Sequence, residues 1–299
     1  MPVEFPAFKP IELADRDLIQ DRLWAYQPET SELTFTNLFI WRIHYGAMWS
    51  LYRDWLLFVF DKPGATYALP PIGPPSRQEV TWRLLQWLKD KGKSEPRLER
   101  ADQRLVTELA GSGDFLVEPR RDHFDYVYRS QDLIELAGRK YHAKRNYINT
   151  FVKKNEFSYE AMAENHLPAC VALADRWCEW HRCEEDMNLI GERSAVLESL
   201  ANFGALKIKG GVIRVNGEVE AFALGEMLNS QTAVVHIEKA NPEIRGLYSV
   251  INQQFPEHNW REAAFINREQ DLGEPQLRET KLSYFPHHMV EKFHVRLRP

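Results

Sequence analysis

The stretch 267–271 reads Asn-Arg-Glu-Gln-Asp and directly follows the apolar, strand-like stretch 263–266. Amide, guanidinium and carboxylate groups are costly to desolvate, so they are solvated, paired with one another or directed at a ligand. Pro275 suits the first turn of a helix, and that helix would carry Arg278 and Lys281 on one face. This pattern predicts the rim of a polar cleft. The alternative is a solvated loop followed by a salt-bridged helix.

A second group of charges lies in the segment 138–154, which holds six Lys or Arg residues and no acidic residue. As a helix, this segment would place Lys144 and Arg145 on the same side as the apolar Tyr141 and Ile148. A cation on an apolar face is paired, lines a pocket or extends along the rim of the core. We expect Lys144 or Arg145 to face the same cleft as the polar stretch. The segment is too short to imply nucleic-acid binding unaided.

Length and charge bound the class of protein. A chain of 299 residues can form one large core or two domains, and its formal net charge of −5 creates no global attraction for nucleic acid or anionic lipid. The first ten residues lack the pattern of a signal peptide, and the longest apolar run, Trp55–Phe60, is too short to span a bilayer. We therefore expect a cytoplasmic protein without a transmembrane segment.

The cysteines indicate neither a disulfide framework nor a metal. Cys170, Cys178 and Cys183 cannot all pair, and reduced thiols fit a cytoplasmic compartment. The spacing of Cys178, His181 and Cys183 matches no common zinc pattern. We expect buried helical thiols and no metal site.

The elements that must position these residues form two halves. In the first half, helices are predicted to begin near Asp15, Ser31, Ser76 and Ala101, with short strands between and after them, which indicates a small α/β unit. The second half reads as helices, an antiparallel meander, a helix, a strand, a helix and a last strand over Met289–Leu297. The predicted meander strands are Leu206–Arg214, Glu218–Leu228 and Thr232–Glu238, with Asn216-Gly217 as the first hairpin turn.

Several of these residues also carry a family resemblance. Asn-Arg-Glu-Gln-Asp-Leu-Gly at 267–273, followed by Leu-Arg at 277–278 and Lys-Leu-Ser-Tyr at 281–284, resembles the closing motif of the phosphatidylglycerol lysyltransferase C-terminal-domain family. Further matches at Ser31–Arg42 and Tyr141–Phe151 extend the resemblance over nearly the whole chain. Many members of that family are soluble proteins of unassigned function.

The resemblance implies two GNAT-like units in tandem, as in the similar Fem-type aminoacyltransferases, and the element order of the second half is that of the GNAT acyltransferase fold. We therefore predict an α/β (mixed α+β) fold with two tandem GNAT-like acyltransferase domains, each a mostly antiparallel mixed sheet flanked by helices. The predicted domains are residues 1–121 and residues 122–299, with the active site in the second.

The resemblance implies that the acyl donor is an aminoacyl-tRNA, whose ester is already activated and needs no cofactor. A coenzyme A thioester is the alternative donor. GNAT enzymes bind the coenzyme A pyrophosphate with a Gly-rich turn before the central helix. The corresponding stretch 241–248 has one glycine, and Pro242 removes a backbone donor. This departure counts against an ordinary acetyl-CoA enzyme.

Acyl transfer needs a base and a donor that stabilises the developing oxyanion. Glu226, Glu238, Glu269 and Asp271 are candidate bases, and Arg268, Arg278 and Lys281 are candidate charge stabilisers or phosphate clamps. We assign catalysis to Arg268, Glu269, Asp271 and Lys281. The expected substrate-binding residues are Lys144, Arg145, Asn146, Asn267, Arg278, Tyr284, Glu238 and Arg245.

These assignments predict a transferase that moves an aminoacyl group from aminoacyl-tRNA to a soluble hydroxyl or amine acceptor, or to a phosphatidylglycerol-like lipid headgroup. The lipid-modifying members carry a membrane-embedded half, which is not expected here, so a soluble acceptor is favoured. The alternatives are an acyl-CoA-dependent GNAT N-acyltransferase and a non-catalytic GNAT-like binding protein. DNA is not an expected partner.

Overall fold

A computed structural model describes residues 3–62, 65–93 and 95–299. The strands are β1 Lys9–Pro10, β2 Ala47–Tyr52, β3 Trp55–Lys62, β4 Ala65–Ala68, β5 Leu98–Ala101, β6 Phe115–Pro119, β7 Asp125–Arg129, β8 Phe157–Ala161, β9 Lys209–Val215, β10 Glu218–Met227, β11 Thr232–Ala240, β12 Phe265–Asn267, β13 His288–Val290 and β14 Phe293–Leu297. The α-helices are α1 Arg16–Tyr26, α2 Phe35–Ile40, α3 Arg42–Tyr45, α4 Gln78–Asp90, α5 Gln103–Leu109, α6 Ser130–Glu135, α7 His142–Lys154, α8 Leu167–His181, α9 Met187–Ala201, α10 Phe203–Leu206, α11 Leu247–Asn259 and α12 Pro275–Leu282. Short 3₁₀ helices cover Leu13–Asp15, Arg121–His123, Arg139–Tyr141, Glu164–His166 and Cys183–Glu185.

The described chain divides into two compact units. The first comprises Met1–Asp125, Gln270–Arg278 and Met289–Pro299, and the second comprises Tyr126–Glu269 and Glu279–His288. The sequence placed a domain boundary between residues 121 and 122. No local sequence pattern indicates that the later segments Gln270–Arg278 and Met289–Pro299 belong to the first unit. Their assignment depends on contacts between residues that are far apart in the sequence.

The first unit is built on a sheet of order β1-β2-β3-β4-β5-β14-β6. Neighbouring strands are antiparallel except β4 and β5, which are parallel. Helix α4 buries Val80, Leu84 and Leu88 at helical spacing, in a hydrophobic core that also contains Leu57 and Val295. Leu98 and other residues of β5 join this core. The sequence analysis did not predict the strand β5.

The predicted second helix begins later than expected. Thr34, rather than Ser31, caps α2, and its hydroxyl oxygen accepts a hydrogen bond from the Asn37 amide at 3.0 Å. The Ser31 amide instead donates to Asp125 Oδ2 at 2.8 Å. Ser31 therefore belongs to a buried polar cluster and not to a helix end.

That cluster surrounds the fully buried ammonium group of Lys292. Its Nζ lies 2.6 Å from Asp125 Oδ1 and 2.7 Å from Glu32 Oε2, and Glu32 also pairs with Arg100 Nε at 2.7 Å. The charges of Lys292 and Arg100 hold the pKa of the buried Glu32 below its usual value, although burial alone would raise it. The cluster is thus a satisfied ionic core of the first unit.

The second unit is built on a sheet of order β13-β7-β12-β11-β10-β9-β8. The meander β9-β10-β11 is antiparallel, and its first turn has positive φ at Asn216 and Gly217, as a two-residue hairpin requires. This turn confirms the prediction. The predicted last strand over residues 289–297 is wrong as a single element, because β13 joins this sheet and β14 joins the other.

The mixed α/β class with two mostly antiparallel sheets flanked by helices confirms the fold class predicted from the sequence. Within the described ranges, no helix is long and apolar enough to cross a membrane.

The three cysteines do not all remain thiols. Cys178 and Cys183 form a disulfide between the last turn of α8 and the 3₁₀ helix that follows it. Cys170 is free and buried, and burial raises the pKa of its thiol to about 12. The prediction of reduced thiols is therefore wrong for the pair, whose five-residue separation allows the helix end to fold back.

Candidate active site

The strands β11 and β12 of the second unit pair only briefly. Their parallel register runs from Thr232↔Phe265 to Val234↔Asn267, whereas β11 continues to Ala240. Arg268 is the first residue beyond β12, and Glu238 lies on the continuing part of β11. Side chains from the two strand ends therefore meet where the strands stop pairing. We call Arg268, Glu238, Asn252, Tyr284 and Lys144, all of the second unit, the candidate active site.

Arg268 is the central cation of this site. Its Nη2 donates to Glu238 Oε1 at 3.3 Å, and its guanidinium carbon lies 5.2 Å from the Tyr284 ring centroid and 5.9 Å from that of Tyr128. Burial disfavours the charge, but Glu238 and the two tyrosines hold the Arg268 pKa above its usual value. The Nη1 group is buried and has no hydrogen-bond partner among the described residues. A buried donor left unpaired costs about 1–3 kcal/mol, so it favours a ligand that brings an acceptor.

Asn252 of α11 is the second residue that binds the Glu238 carboxylate. Its Nδ2 donates to Glu238 Oε2 at 3.2 Å, so both oxygens of the carboxylate are bound. Its Oδ1 is buried and, in the part of the chain that the structure describes, accepts no hydrogen bond. The site therefore presents one unused donor, on Arg268, and one unused acceptor, on Asn252, at the two ends of one carboxylate.

Lys144 of α7 adds a second positive charge. Its Nζ lies 4.0 Å from the centroid of the buried Tyr284 ring, and burial, followed by the charge of Arg268, lowers the pKa of its ammonium group. The Tyr284 hydroxyl lies 3.5 Å from Ser249 Oγ, and its carbonyl accepts from the Tyr141 hydroxyl at 3.0 Å. Two cations and one carboxylate leave the site with excess positive charge, which favours an anionic ligand group or a developing oxyanion.

Lys281, one of the expected catalytic residues, binds the backbone of the polar stretch. It is buried, and its Nζ donates to the carbonyl oxygen of Arg268 and, at 3.2 Å, to that of Glu269. Its Nζ also lies 5.7 Å from the Tyr126 ring centroid. The ammonium group thus holds the backbone at the end of β12.

Glu269 is also engaged within the protein. His236 Nδ1 lies 2.9 Å from Glu269 Oε1, and His236 Nε2 lies 3.0 Å from Glu226 Oε1. Burial lowers the imidazole pKa, but the hydrogen bonds to the two carboxylates outweigh it and raise the pKa of His236 to about 9. The sequence analysis did not single out His236. The register of β11 against β10 shifts here, with Ile237 opposite Leu224 and Val235 opposite Gly225, so β11 carries one extra residue at His236. Such a bulge interrupts the alternation of a strand, and a local sequence pattern therefore could not place this histidine.

Asp271 and Arg278 meet in the first unit. The fully buried Asp271 accepts from Arg278 Nε and Nη2 at 2.8 Å each, and Arg278 Nη2 also donates to Asp122 at 2.8 Å. Arg121 contributes a further ion pair to Asp271 at 3.3 Å. Asp271 and Arg278, which the sequence analysis assigned to catalysis and to substrate binding, thus bind each other in the structure.

The other predicted substrate-binding residues each make their own contacts within the protein. Asn267 is buried, and its Oδ1 accepts from the Glu269 amide at 2.8 Å. Arg145 donates to the carbonyl oxygens of Leu136 and, at 2.7 Å, Gly138. The exposed Asn146 contacts His142 on α7, and the exposed Arg245 lies over the Tyr147 ring at 5.4 Å.

One other polar group of the described chain, in the first unit, has the composition of a metal site. Glu99, His123 and His294 bring potential ligand atoms within 4.8 Å of one another, and burial lowers the pKa of each histidine to about 4. However, Arg97 and Arg100 bind the two oxygens of Glu99 at 2.8 and 3.1 Å. These guanidinium groups compete with and repel a cation, so the group does not favour a metal ion.

Comparison with known proteins relates nearly the whole chain to one family. The family model of the phosphatidylglycerol lysyltransferase C-terminal region matches residues 25–296. A conserved protein of unknown function from Bacteroides thetaiotaomicron is 33% identical with a TM-score of 0.90, and the match covers 97% of this chain and 99% of that one.

Two further solved structures share the fold at low identity. The C-terminal domain of a protein described as a lysylphosphatidylglycerol synthetase from Agrobacterium fabrum is 12% identical, with a TM-score of 0.65 over 96% of this chain and 92% of that one. A tandem GNAT protein from the clavulanic acid biosynthesis pathway is 9% identical, with a TM-score of 0.51 over 96% and 97%. These two likenesses show the fold alone.

A curated relative, an uncharacterized protein of Mycoplasmoides gallisepticum, is 23% identical over 181 residues, which are 58% of this chain and 56% of that protein. The matched region thus spans little more than half the length of this relative.

Proposed function

The chain belongs to the phosphatidylglycerol lysyltransferase C-terminal family, and we propose that it transfers an aminoacyl group from aminoacyl-tRNA to a soluble hydroxyl or amine acceptor. The family and the fold support an aminoacyltransferase-like or GNAT-like acyltransferase. The tRNA donor and the soluble acceptor are the finer part of the proposal.

The observation that carries the proposal is the pair of unused groups beside Glu238. An aminoacyl ester has a carbonyl oxygen, which accepts a hydrogen bond, and an α-amino group, which donates one. Arg268 Nη1 is the buried donor that the carbonyl oxygen needs, and Asn252 Oδ1 is the buried acceptor that the α-amino group needs. A substrate with both groups satisfies both atoms at once, which supports an aminoacyl ester over a plain acetyl thioester.

The reaction requires an acceptor O–H or N–H to attack the ester carbonyl while the bond to the ribose oxygen breaks. In our proposal, Glu238 takes the acceptor proton, and Arg268 stabilises the charge that develops on the carbonyl oxygen. Lys144 gives a proton to the departing ribose oxygen, because burial and the neighbouring Arg268 favour loss of that proton. The proton on Glu238 then returns to Lys144 through solvent, which restores the starting state.

The test is a transfer assay with total tRNA charged with radiolabelled amino acids, offered with soluble amines and alcohols or with phosphatidylglycerol vesicles. Arg268→Gln removes the charged donor, and we expect turnover to fall on the order of a hundredfold. Arg268→Lys keeps the positive charge but lacks the planar set of guanidinium N–H donors, so it should recover only part of the activity.

Arg261→Gln is the matched control, because Arg261 is an exposed arginine of the same unit that pairs with Glu257 on the surface. It should transfer at the wild-type rate. Turnover with acetyl-CoA but not with charged tRNA would assign the site to acyl-CoA chemistry. Wild-type turnover in Arg268→Gln would remove the proposed site altogether.

A further inference from the structure

The Cys178–Cys183 disulfide closes the reversal of the chain between α8 and α9. It joins the last turn of α8 to the 3₁₀ helix that follows, and Arg182, which turns the chain between them, has a φ of 50°. This left-handed conformation is unfavourable for a residue with a Cβ atom. The disulfide therefore holds a turn that the backbone of Arg182 disfavours.

The segment around the disulfide has little buried surface of its own. In the described segment 175–192, only Cys183 and Gly191 are buried, and Met187 and Ile190 are 71% and 41% exposed. Most buried residues of the two helices lie farther away, in the first half of α8 and the second half of α9. Segments with few buried contacts open locally at low cost. Loss of the disulfide would thus release the two helix ends without unfolding the unit.

Trp177 connects the disulfide to a buried lysine. Its ring centroid lies 3.1 Å from Lys239 Nζ, and its Nε1 donates to the Tyr248 hydroxyl oxygen at 2.7 Å. Lys239 is buried on β11, and its Nζ also pairs with Glu192 Oε1 at 2.6 Å. A buried ammonium group depends on such partners. Because Trp177 lies on α8 and Glu192 on α9, the disulfide keeps both partners of this charge in place.

The buried lysine adjoins the candidate active site. Lys239 directly follows Glu238 on β11, and Tyr248 lies one helical turn before Asn252 on α11. The Trp177 ring thus contacts both elements that position the Glu238 carboxylate and its Asn252 partner. A displacement of the end of α8 would disturb both.

We propose that the Cys178–Cys183 pair is a redox-sensitive modification site whose reduced form releases Trp177 from Lys239. A dithiol reductant supplies the two electrons. Its thiolate attacks Cys178 Sγ, which is half-buried whereas Cys183 is buried, and the Cys183 sulfur leaves and takes up a proton. The second thiolate of the reductant then attacks its own sulfur in the mixed disulfide, which releases Cys178 as a thiol and leaves the reductant oxidised to a disulfide.

Cys170 of α8 does not take part in this exchange. It is buried, and burial raises the pKa of its thiol to about 12, so the nucleophilic thiolate is scarce. The exchange therefore involves only the pair and the external dithiol.

Reduction has a local consequence and a consequence for the candidate active site. Without the disulfide, the turn at Arg182 is lost, the ends of α8 and α9 open, and Lys239 becomes accessible. The redox site itself does not depend on the proposed function. Its effect on aminoacyl transfer does, and we expect reduction to slow transfer because Glu238 and Asn252 are displaced.

The experiment is a short pulse of amine acetylation with N-acetoxysuccinimide on the native protein, oxidised or treated with dithiothreitol, with the modified lysines mapped by mass spectrometry. Labelling of Lys239 should rise about tenfold or more on reduction, because the helix end opens more often without the closed loop. Reoxidation should restore its protection. The exposed Lys209 of β9, in the same unit, is the internal reference and should label equally in both forms.

Three variants separate the parts of the proposal. Cys178→Ser/Cys183→Ser should label Lys239 at the reduced level with or without dithiothreitol, whereas Cys170→Ala keeps the disulfide and should respond like the wild type. Trp177→Ala should raise Lys239 labelling in the oxidised protein, because it removes the cover directly.

Two results would overturn the redox site. The first is equal labelling of Lys239 in the oxidised and reduced wild type. The second is a disulfide that excess dithiothreitol does not reduce in the native protein, as measured by thiol alkylation.

The two proposals fail separately. Reversible, redox-dependent labelling of Lys239 without any aminoacyl transfer would support the redox site and contradict the proposed function. Equal transfer by the oxidised and reduced protein, with Lys239 protected in both, would support the proposed function and contradict the redox site.

Discussion

The hydrogen-bonded side chains of Glu226, His236 and Glu269 make the stability of the second unit depend on pH in the alkaline range. His236 is nearly inaccessible, with 2% of its side chain exposed, and a carboxylate binds each ring nitrogen. These two hydrogen bonds raise its pKa from 6.5 to about 9 despite burial. Glu269 follows Arg268 directly in the sequence. Its hydrogen bond to His236 therefore also fixes the end of β12, next to the central cation of the candidate active site.

The sign follows from the direction of this shift. A raised pKa means that the folded protein binds the proton more tightly than the unfolded chain, so the imidazolium stabilises the fold fully below about pH 6.5. The contribution declines as the pH rises and is lost above about pH 9. The rise of the His236 pKa from 6.5 to about 9 corresponds to about 3 kcal/mol of folding free energy.

The assay is urea-induced unfolding of the wild type and of His236→Gln at a series of pH values. Gln keeps a hydrogen-bonding side chain but cannot be protonated, so the stability of the wild type relative to His236→Gln should fall by about 3 kcal/mol as the pH rises from about 6 to above 9. The control His142→Gln alters an exposed histidine of α7 and should follow the wild-type curve. A stability difference that does not change with pH would refute the reasoning.

Two further predictions concern stability. Reduction of the Cys178–Cys183 disulfide should lower the free energy of unfolding by about 2 kcal/mol, from the entropy of a five-residue loop, and a Cys178→Ser/Cys183→Ser variant should not respond to dithiothreitol. Lys292→Met should cost about 3–5 kcal/mol in urea unfolding, because it leaves the buried Asp125 and Glu32 without their shared cation. Wild-type stability of that variant would show that the two acids are protonated or solvated.

Local sequence signals determined much of the fold. The meander could be predicted because alternating apolar residues and the Asn216-Gly217 turn act over a few positions. The separation of β13 from β14 could not be predicted, because Phe293 pairs with Ala101 and Pro119, far away in the chain. Periodicity reports which face of a strand is buried, but it does not report which sheet the strand joins.

The residues of the candidate site are only partly visible in the sequence. The polar stretch and the basic helix contribute Arg268 and Lys144, which lie over the same Tyr284 ring. That they line one substrate cleft stays a prediction. Asn252 escaped notice because an amide inside a helix has no sequence signature. Its role depends on which strand residue α11 places opposite it. That residue is Glu238, and the pairing becomes visible only in three dimensions.

The chemistry of the polar stretch depends on the register of β12. Because successive strand residues point to opposite faces, a shift of one residue would replace Arg268 with Glu269 beside Glu238, and two carboxylates would then face each other. β12 pairs with strands on both sides, and the Lys281 ammonium group binds the carbonyl oxygens of residues 268 and 269. Lys281 therefore holds the backbone at the end of β12 in this register.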